Sequence, residues 1–246
     1  KFLPENIISN TEVDWGISKW DTSLLAATIV SLQPLENPDG NNSLNWIDAL
    51  AEDDSTTSIP SEKNVGVTDM EKAQKIQKKM LKEAPQIEGY QISTRYESCE
   101  EVSGDFYEFI QLPDGKVGFS QGDVSGHGIQ AGLVMSMAKK VLAMNARRGQ
   151  SPTEVLSSVN EELIHDLNGK TFVSMTYGIL DTFHKKINWA RAGHNPSIFY
   201  NIHTKELRSL KPPGMVAGLR DTFLFRNILR EEEIILNSGD IFLMYT

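Results

Sequence analysis

The segment Gly122–Met137, with the sequence GDVSGHGIQAGLVMSM, determines the arrangement that we expect for the rest of the chain. It follows the apolar run Val117–Phe119 and places Asp123 between Gly122 and Gly126, ahead of a stretch rich in Ala, Leu and Met. This order predicts a strand, a tight glycine loop and a helix, with a carboxylate at the exit of the strand. Because a carboxylate beside an accessible backbone carbonyl suits a hard cation, we expect Mg²⁺ or Mn²⁺ here.

The composition is that of a soluble globular protein that does not bind nucleic acid. The 246 residues are 39% hydrophobic and 23% charged, with a formal net charge of −9, so no basic face is available for a phosphate backbone. No apolar run reaches the ~20 residues of a membrane span, and we expect no direct membrane insertion. The single cysteine, Cys99, cannot form an intrachain disulfide, which favours a reducing, cytoplasmic compartment.

Residues 1–67 differ from the remainder and are predicted to be an N-terminal arm or the remnant of an upstream regulatory region. They hold three of the four tryptophans in a polar sequence rich in Asn, Asp, Ser and Pro. Two short apolar pieces, Leu24–Leu32 and Leu44–Leu50, each fit one strand or one helix. The remaining chain divides into a predicted linker helix over residues 68–84 and a layered domain over residues 85–246.

The linker helix is predicted from its start signal and its apolar spacing. Thr68-Asp-Met-Glu71 has the form of a capping box, and Pro85 ends the helix. Apolar residues at three-then-four spacing form one stripe: Ala73, Ile76 and Met80. The stripe fits either packing on the same domain or a short parallel coiled segment, and the second alternative makes a homodimer through this helix.

Two aspartates are predicted to meet at one end of a hairpin. The strand Val102–Ile110 carries Asp105, the turn Leu112–Lys116 contains an Asp-Gly pair, and the returning strand 116–121 delivers Asp123. Adjacent carboxylates at one strand end can bridge divalent cations. The alternative is that both are turn and cap residues, with Asp123 capping the helix that follows.

The rest of the chain predicts two helices followed by further strands. Helices are expected over Ile129–Arg148 and from Ser151 to about Leu167, where Ser151-Pro-Thr-Glu154 is a second capping box. The later strands are predicted at Thr171–Leu180, Ile187–Ala192, Ser197–Asn201, Leu207–Leu210, Phe223–Leu229, Glu233–Leu236 and Asp240–Tyr245. Strands, two helices and strands again indicate an α+β layered domain.

Other kinds of site have weaker support in the spacing. His127 and His194, each beside a glycine, could ligate zinc with Asp123, but they lack HxxxH or HxH spacing, and structural roles in tight loops are favoured. Ser125 has no glycine two positions before it, as a nucleophile elbow requires. No Gly-Lys-Ser/Thr follows the glycines, which excludes a P-loop.

Six short motifs occur in order along residues 68–246: Gln77-Lys-Lys-Met-Leu81, Pro85, Ser103-Gly-Asp-Phe-Tyr107, Gly122-Asp-Val-Ser-Gly-His-Gly128, Phe172-Val-Ser-Met-Thr176 and Ala192-Gly-His-Asn-Pro196. In order and spacing they resemble the SpoIIE/RsbU-type branch of the PPM (PP2C-like) serine/threonine phosphatases. The resemblance implies a PP2C-like α/β/β/α layered sandwich, with residues 85–246 as the phosphatase domain. It also implies two Mn²⁺ or Mg²⁺ ions at one edge.

The resemblance implies roles for three residues. Asp123 matches the aspartate that bridges both metals, the backbone carbonyl of Val124 matches the carbonyl ligand beside it, and Asp105 matches the other early aspartate. By the family's mechanism, a water held between the metals attacks phosphorus in line while the cations stabilise the phosphoryl oxygens. The implied activity is that of a Mn/Mg-dependent phosphoserine/phosphothreonine protein phosphatase.

The implied substrate is a phosphorylated anti-anti-sigma (STAS-type) protein in a bacterial partner-switching pathway, with the linker helix passing on control from an N-terminal sensor. The alternative is a catalytically silent sensing or binding module of the same fold. The chain departs from the family at Ser103, usually glycine, and at Glu108, commonly aspartate. The family pattern continues after Thr246 with further aspartate ligands, so we expect a domain truncated at its C-terminus, with an incomplete metal site and little activity.

Overall fold

The computed structural model describes residues 26–32 as backbone and residues 68–98, 100–167 and 169–246 in full. Predictions for the rest of residues 1–67 and for Cys99 lie outside this part of the chain. Residues 26–32 form a strand, one of the two forms predicted for Leu24–Leu32. None of the helices in the described ranges has the length and apolar character of a membrane span.

The elements of the described chain comprise ten strands and four α-helices. In order they are β1 (Ala26–Leu32), α1 (Asp69–Met80), β2 (Tyr90–Tyr96), β3 (Phe106–Gln111), β4 (Val117–Val124), α2 (Gly128–Ala146), α3 (Pro152–Asp166), β5 (Val173–Asp181), β6 (Lys186–Ala192), β7 (Ser197–Asn201), β8 (Glu206–Leu210), α4 (Thr222–Ile228), β9 (Glu231–Ile235) and β10 (Ile241–Tyr245).

The strands form two antiparallel sheets of five strands each. The first sheet has the order β2-β1-β10-β7-β8, and the second has the order β3-β4-β5-β6-β9. Strand β1 pairs with β2 on one side and with β10 on the other. The seven residues of β1 therefore belong to the first sheet, although they lie in the segment 1–67 that the sequence analysis set apart.

Two apolar cores lie between the layers, one between the two sheets and the other between the second sheet and helices α2 and α3. Between the sheets, Phe119 of β4 and Trp189 of β6 meet Phe242 of β10, with ring centroids 5.9 and 5.6 Å apart in edge-to-face geometry. On the outer face of the second sheet, α2 and α3 bury residues such as Met135 and Leu163 against the strands. The predicted α+β sandwich is confirmed.

Local start signals in the sequence are confirmed where the helices begin. Thr68 caps α1 and Ser151 caps α3, and each forms a reciprocal capping box with the glutamate three residues later. The hairpin turn between β3 and β4 contains Asp114 and Gly115, both at positive φ. An Asp-Gly pair suits such a turn because both residues tolerate this conformation better than most.

The predicted apolar stripe of the linker helix lies only partly on its buried face. Ala73 and Met80 are half-buried on the same face as Gln77, the buried residue of α1, whereas Ile76 is 63% exposed. Helix α1 also ends at Met80, before the predicted limit, because Leu81 adopts an extended conformation. The sequence pattern did not identify Gln77, whose amide bonds the backbone of Ser103 where α1 docks.

The prediction of a strand at Phe223–Leu229 is wrong. This segment is helix α4, whose N-cap Asp221 accepts a hydrogen bond from the Leu224 N–H at 3.0 Å. The helix buries Phe225 in the core beside α3 and leaves Phe223 exposed. Its seven residues form about two helical turns with a side-chain cap, and they adopt a helix despite the strand preference of the aromatic residues.

Candidate metal centre

The β3–β4 hairpin brings Asp105 and Asp123 together at the end that lies away from its turn. Phe106 pairs with Gly122 across the two strands, and the next residues outward are Asp105 and Asp123. In an antiparallel ladder such directly opposed residues are nearest neighbours on the same face of the sheet. The two aspartates singled out in the sequence therefore form one acidic site, which we call the metal edge.

Two glycines allow the backbone to close around the metal edge. A Cβ at Gly104 would lie 2.8 Å from the carbonyl oxygen of Val124, and a Cβ at Gly122 would lie 2.6 Å from the ring of Phe106. Both distances are too short for a real side chain. Glycine at position 104 thus lets the segment before Asp105 approach the Val124 carbonyl directly.

At the metal edge, burial and the closeness of the two aspartates disfavour ionisation of both carboxyls at once. Asp105 is 5% exposed, and burial raises the pKa of its carboxyl, although hydrogen bonds with Thr246 and Ser103 act in the other direction. Burial and, secondly, the charge of Asp105 raise the pKa of Asp123 to about 6, against a hydrogen bond from the Val124 backbone. A divalent cation would relieve both effects by compensating the charge.

Ser103 contributes directly to the site, although it departs from the family pattern. Its Oγ accepts a hydrogen bond from the Asp105 N–H at 3.2 Å and donates to Asp105 Oδ2 at 3.3 Å. The usual glycine has no hydroxyl for either bond. Sequence reasoning noted the departure but missed its role, which the Ser-x-Asp spacing could have suggested because serine often bonds two residues along.

Two residues of further motifs, Ser174 and His194, meet next to Asp123. Ser174 is the cross-strand partner of Asp123, and its Oγ donates to the Asp123 carbonyl at 3.4 Å and lies 2.9 Å from Nδ1 of His194. Burial, followed by the nearby Arg191 charge, lowers the pKa of His194 to about 4, so the ring is neutral at pH 7. The structural role of His194 stays a prediction, supported by its burial and by its contact with Ser174.

The exit of β4 is fixed by Ser125. Its backbone N–H donates to the Phe172 carbonyl at 2.9 Å, and its Oγ accepts from the Phe172 N–H at 2.9 Å. These bonds hold the chain just after Val124, whose carbonyl is one of the proposed ligands. The hydroxyl of Ser125 is engaged in this contact, in agreement with the absence of a nucleophile elbow.

Asp123 does not cap the helix that follows it. It lies within β4, and the N-cap of α2 is His127, whose side chain makes no capping hydrogen bond. The cap interpretation of Asp123 is therefore wrong. His127 is exposed, and its Nδ1 lies 3.2 Å from Oε1 of Glu100.

The ligand set at the metal edge consists of oxygen atoms. In the part of the chain that the structure covers, no three or more His, Cys, Asp or Glu side chains are grouped to hold a metal. The zinc hypothesis therefore has no such cluster to support it. Two opposed carboxylates beside the Val124 carbonyl fit a hard cation such as Mn²⁺ or Mg²⁺, which prefers oxygen ligands and keeps several waters.

The chain is similar in sequence to two curated proteins of Bacillus subtilis. The chain is 25% identical to the phosphoserine phosphatase RsbU of Bacillus subtilis over 180 residues, which cover 73% of this chain and 52% of RsbU. It is 28% identical to the phosphoserine phosphatase RsbP of the same organism over 158 residues, or 61% of this chain and 39% of RsbP. The chain thus spans about half or less of the length of these relatives.

The fold is similar to that of the SiaA-PP2C domain of Pseudomonas aeruginosa. The TM-score is 0.54 at 19% sequence identity, and the match covers 70% of this chain and 68% of that one. A model of the family described as Stage II sporulation protein E (SpoIIE) matches residues 113–246, more than half of the chain. This range includes Asp123, Val124 and the two motifs that support them, and the chain therefore belongs to the SpoIIE family.

Proposed function

We propose that the protein is a Mn²⁺- or Mg²⁺-dependent phosphoserine/phosphothreonine protein phosphatase, to whose metal site this chain contributes Asp105, Asp123 and Val124. The observation that carries the proposal is the metal edge, where Asp105 and Asp123 oppose each other beside the Val124 carbonyl. RsbU and RsbP, to which the chain is similar, are named phosphoserine phosphatases, and this supports the same class of reaction for the protein. We extend this activity to the protein because Asp105, Asp123 and the Val124 carbonyl lie together at the metal edge.

In this proposal, Asp105, Asp123 and the backbone carbonyl of Val124 would hold the divalent cations. Bound cations would supply positive charge for the phosphoryl oxygens and lower the pKa of a nearby water. The protein contributes the geometry: the β3–β4 register fixes the carboxylates, and Ser125 and Ser174 hold the backbone on either side of Val124 and Asp123. Fixed ligands avoid reorganisation during the reaction.

The proposed substrate is a phosphorylated anti-anti-sigma protein of the STAS type, within partner-switching signalling in the cytoplasm. A chain with a formal net charge of −9 would repel a phosphoprotein unless cations compensate its acidic edge. Cation binding therefore serves substrate capture as well as chemistry. We expect phosphate release to depend on the divalent cation for both reasons.

The test is a phosphatase assay on the full-length protein with Mn²⁺, using a serine-phosphorylated STAS-domain protein and p-nitrophenyl phosphate. We expect turnover that chelation abolishes and that Asp123→Ala reduces by about a hundredfold or more, since cations supply several kcal/mol of transition-state stabilisation. Full activity of Asp123→Ala would refute the mechanism. Turnover of p-nitrophenyl phosphate alone would refute the substrate class and leave the reaction class intact.

A catalytically silent module that binds a partner through the same fold is the second candidate. It is favoured by one observation, namely that the described residues supply only two acidic side chains at the metal edge. Calorimetric titration with Mn²⁺ distinguishes the candidates. A silent module need not bind the ion, whereas the phosphatase must lose its Mn²⁺ heat signal when Asp123 is replaced.

A further inference from the structure

Helix α2 carries large apolar residues on two opposite sides. Its buried side packs Met135 and Leu142 into the core, whereas Ile129 and Leu133 are 55% and 69% exposed. A helix that lies on a sheet ordinarily turns a polar side to solvent, and apolar residues all round are typical of a helix covered on both sides. The exposed side of α2 therefore has the character of a contact surface.

Ile129 and Leu133 form one continuous patch, which we call the α2 patch. The two residues are four positions apart in the helix, so their side chains are neighbours on one face. Both side chains lie outside the two apolar cores of the described chain. Grouped exposed apolar side chains, unlike single ones, mark sites of interaction.

The α2 patch lies close to the metal edge. Ile129 follows Val124 by five residues, and Leu133 lies about one helical turn further on, so chain length limits their distances from Val124 to about 18 and about 24 Å. A standard protein interface of about 800 Å² per partner is roughly 30 Å across. One protein partner can therefore cover the metal edge and the α2 patch together.

An acidic rim borders the α2 patch. Glu100 and its neighbour Glu101 are exposed, and Oε1 of Glu100 lies 3.2 Å from Nδ1 of His127. A Cβ at Gly128, the residue before Ile129, would lie 3.6 Å from Oε2 of Glu100. An apolar centre with a polar rim is the usual anatomy of a protein interface, and this rim is negative. Charge complementarity then calls for basic residues on the partner.

We infer that the α2 patch and its acidic rim form a docking surface for the phosphoprotein substrate, whose matching surface is apolar with basic residues around it. The inference rests on the proposed function, since it takes the phosphoseryl group to be held at the metal edge. Binding energy from a surface remote from the phosphoryl group distinguishes a folded protein from a small phosphate ester. The α2 patch thus sets specificity without touching the reacting atoms.

The test compares Ile129→Gln/Leu133→Gln with Met144→Gln in the full-length protein, assayed with Mn²⁺ on a serine-phosphorylated STAS-domain protein and on p-nitrophenyl phosphate. Glutamine keeps the helix propensity and removes the apolar surface. Met144 is 53% exposed on α2 but lies about three turns beyond Leu133. We expect the double variant to lower the ratio of kcat/KM for the phosphoprotein to that for the ester about tenfold, mainly through KM. Met144→Gln leaves this ratio at the wild-type value.

The acidic rim is tested by Glu100→Lys, with Glu206→Lys on β8 as a control that changes the net charge equally. Glu100→Lys raises the KM for the phosphoprotein severalfold at low salt. The difference from the wild type shrinks as NaCl is added, because exposed charges are screened. A KM for the phosphoprotein that falls in Glu100→Lys would show an acidic partner surface and overturn the assigned chemistry.

A second copy of this chain is the other candidate occupant of the α2 patch. If Ile129→Gln/Leu133→Gln abolishes a dimer in sedimentation velocity and leaves the kinetic ratio unchanged, the patch is an interface between copies and the inference is wrong. An unchanged ratio with an unchanged oligomeric state overturns the inference as well.

Failure of the proposed function gives a different result, because the wild-type protein then releases phosphate from neither substrate. Docking is in that case measured directly, by calorimetric titration with the phosphorylated STAS-domain protein. Weaker binding by the double variant than by Met144→Gln supports the docking surface. Equal binding by the two, or no binding by the wild type, overturns it.

Discussion

The β4–β5 strand pair has a carboxylate at each end, Asp123 of β4 at one and Asp181 of β5 at the other, and the two carboxylates experience opposite conditions. At the metal edge, Asp123 faces Asp105, and burial and like charge raise its pKa to about 6. At the far end, Asp181 accepts the His184 N–H at 2.9 Å and lies 3.0 Å from the His184 ring and 3.3 Å from Lys116 Nζ. Burial opposes its ionisation, but these contacts hold the pKa of Asp181 well below its usual range.

The comparison separates a carboxylate that stabilises the fold from one that we propose binds a cation. Both ends belong to the same sheet, and both hold a buried carboxylate, Asp105 at one and Asp181 at the other. What differs is the supply of positive and hydrogen-bonding groups around them. Burial does not distinguish the two ends, because both hold a buried carboxylate. The proposed functional end is distinguished by a shortage of positive and hydrogen-bonding groups around its carboxylates.

The largest expected effect is on catalysis, and it should occur at one end only. Asp105→Asn removes the charge of a proposed ligand and should lower Mn²⁺-dependent turnover of the protein by about a hundredfold or more. Asp181→Asn, the same change in another buried aspartate, should leave kcat unchanged at a temperature where the variant is folded. Comparable losses in the two variants would remove the distinction between the ends.

The second effect is on stability at the far end. Asp181→Asn should lower the free energy of unfolding by about 2 kcal/mol at pH 7, since hydrogen bonds to a charged group are lost. A folded-state pKa below the unfolded value near 4 stabilises the fold above that pH, and this contribution falls away as the pH drops. Urea denaturation of both proteins should therefore converge at acid pH. A difference that is independent of pH would contradict the assignment.

The third effect is a gain in stability rather than a loss, and it concerns the metal edge in the absence of a divalent cation. The pKa of Asp123, raised to about 6, means that the folded chain holds this proton more tightly than the unfolded chain. Ionisation of Asp123 therefore costs stability as the pH rises from about 4 to about 6. After discounting for solvent screening, Asp123→Asn should stabilise the metal-free chain by roughly 1 kcal/mol at pH 7 and by nothing at pH 4.

The control for this third effect is the same pair of proteins with Mn²⁺ added. The ion should raise the melting temperature of the wild type and not that of the variant, since binding to the native state stabilises it. Destabilisation of the metal-free chain by Asp123→Asn at pH 7 would show that the carboxylate has stabilising partners.

The smallest effect should come from Lys116. Its ammonium group is partly exposed beside Asp181, so Lys116→Met should cost only about 0.5 kcal/mol at low salt and less at high salt. The His184 contacts remain and keep Asp181 ionised. A loss as large as that of Asp181→Asn would assign the stability of this end to the lysine instead.

The sequence predicted the metal edge because its geometry is local. A hairpin with an Asp-Gly turn and strands of known length fixes which residues oppose each other, so Asp105 and Asp123 could be paired by counting. Capping boxes at Thr68 and Ser151 are equally local and were predicted correctly. Features decided within a few residues of chain are those that pattern reasoning recovers.

Features decided by contacts between distant segments were missed. The apolar spacing of α1 did not identify Gln77 as its buried residue, because the partner of Gln77 is the backbone of Ser103, 26 residues away. The segment at Phe223 read as a strand because its aromatic residues favour strands, whereas the core beside α3 accepts one of them from a helix. Both errors arose because the neighbours of the segment, which the pattern does not contain, set its conformation or its face.

Paramagnetic broadening by Mn²⁺ in an amide NMR spectrum tests the central claim most directly. The ends of β4 lie about 23 Å apart at ~3.3 Å per residue, a separation that the method resolves. We predict that substoichiometric Mn²⁺ broadens the signals of Asp105, Asp123 and Val124 first and leaves those of Asp181 and His184 sharp. Broadening that is uniform, or that begins at Asp181, would contradict the account.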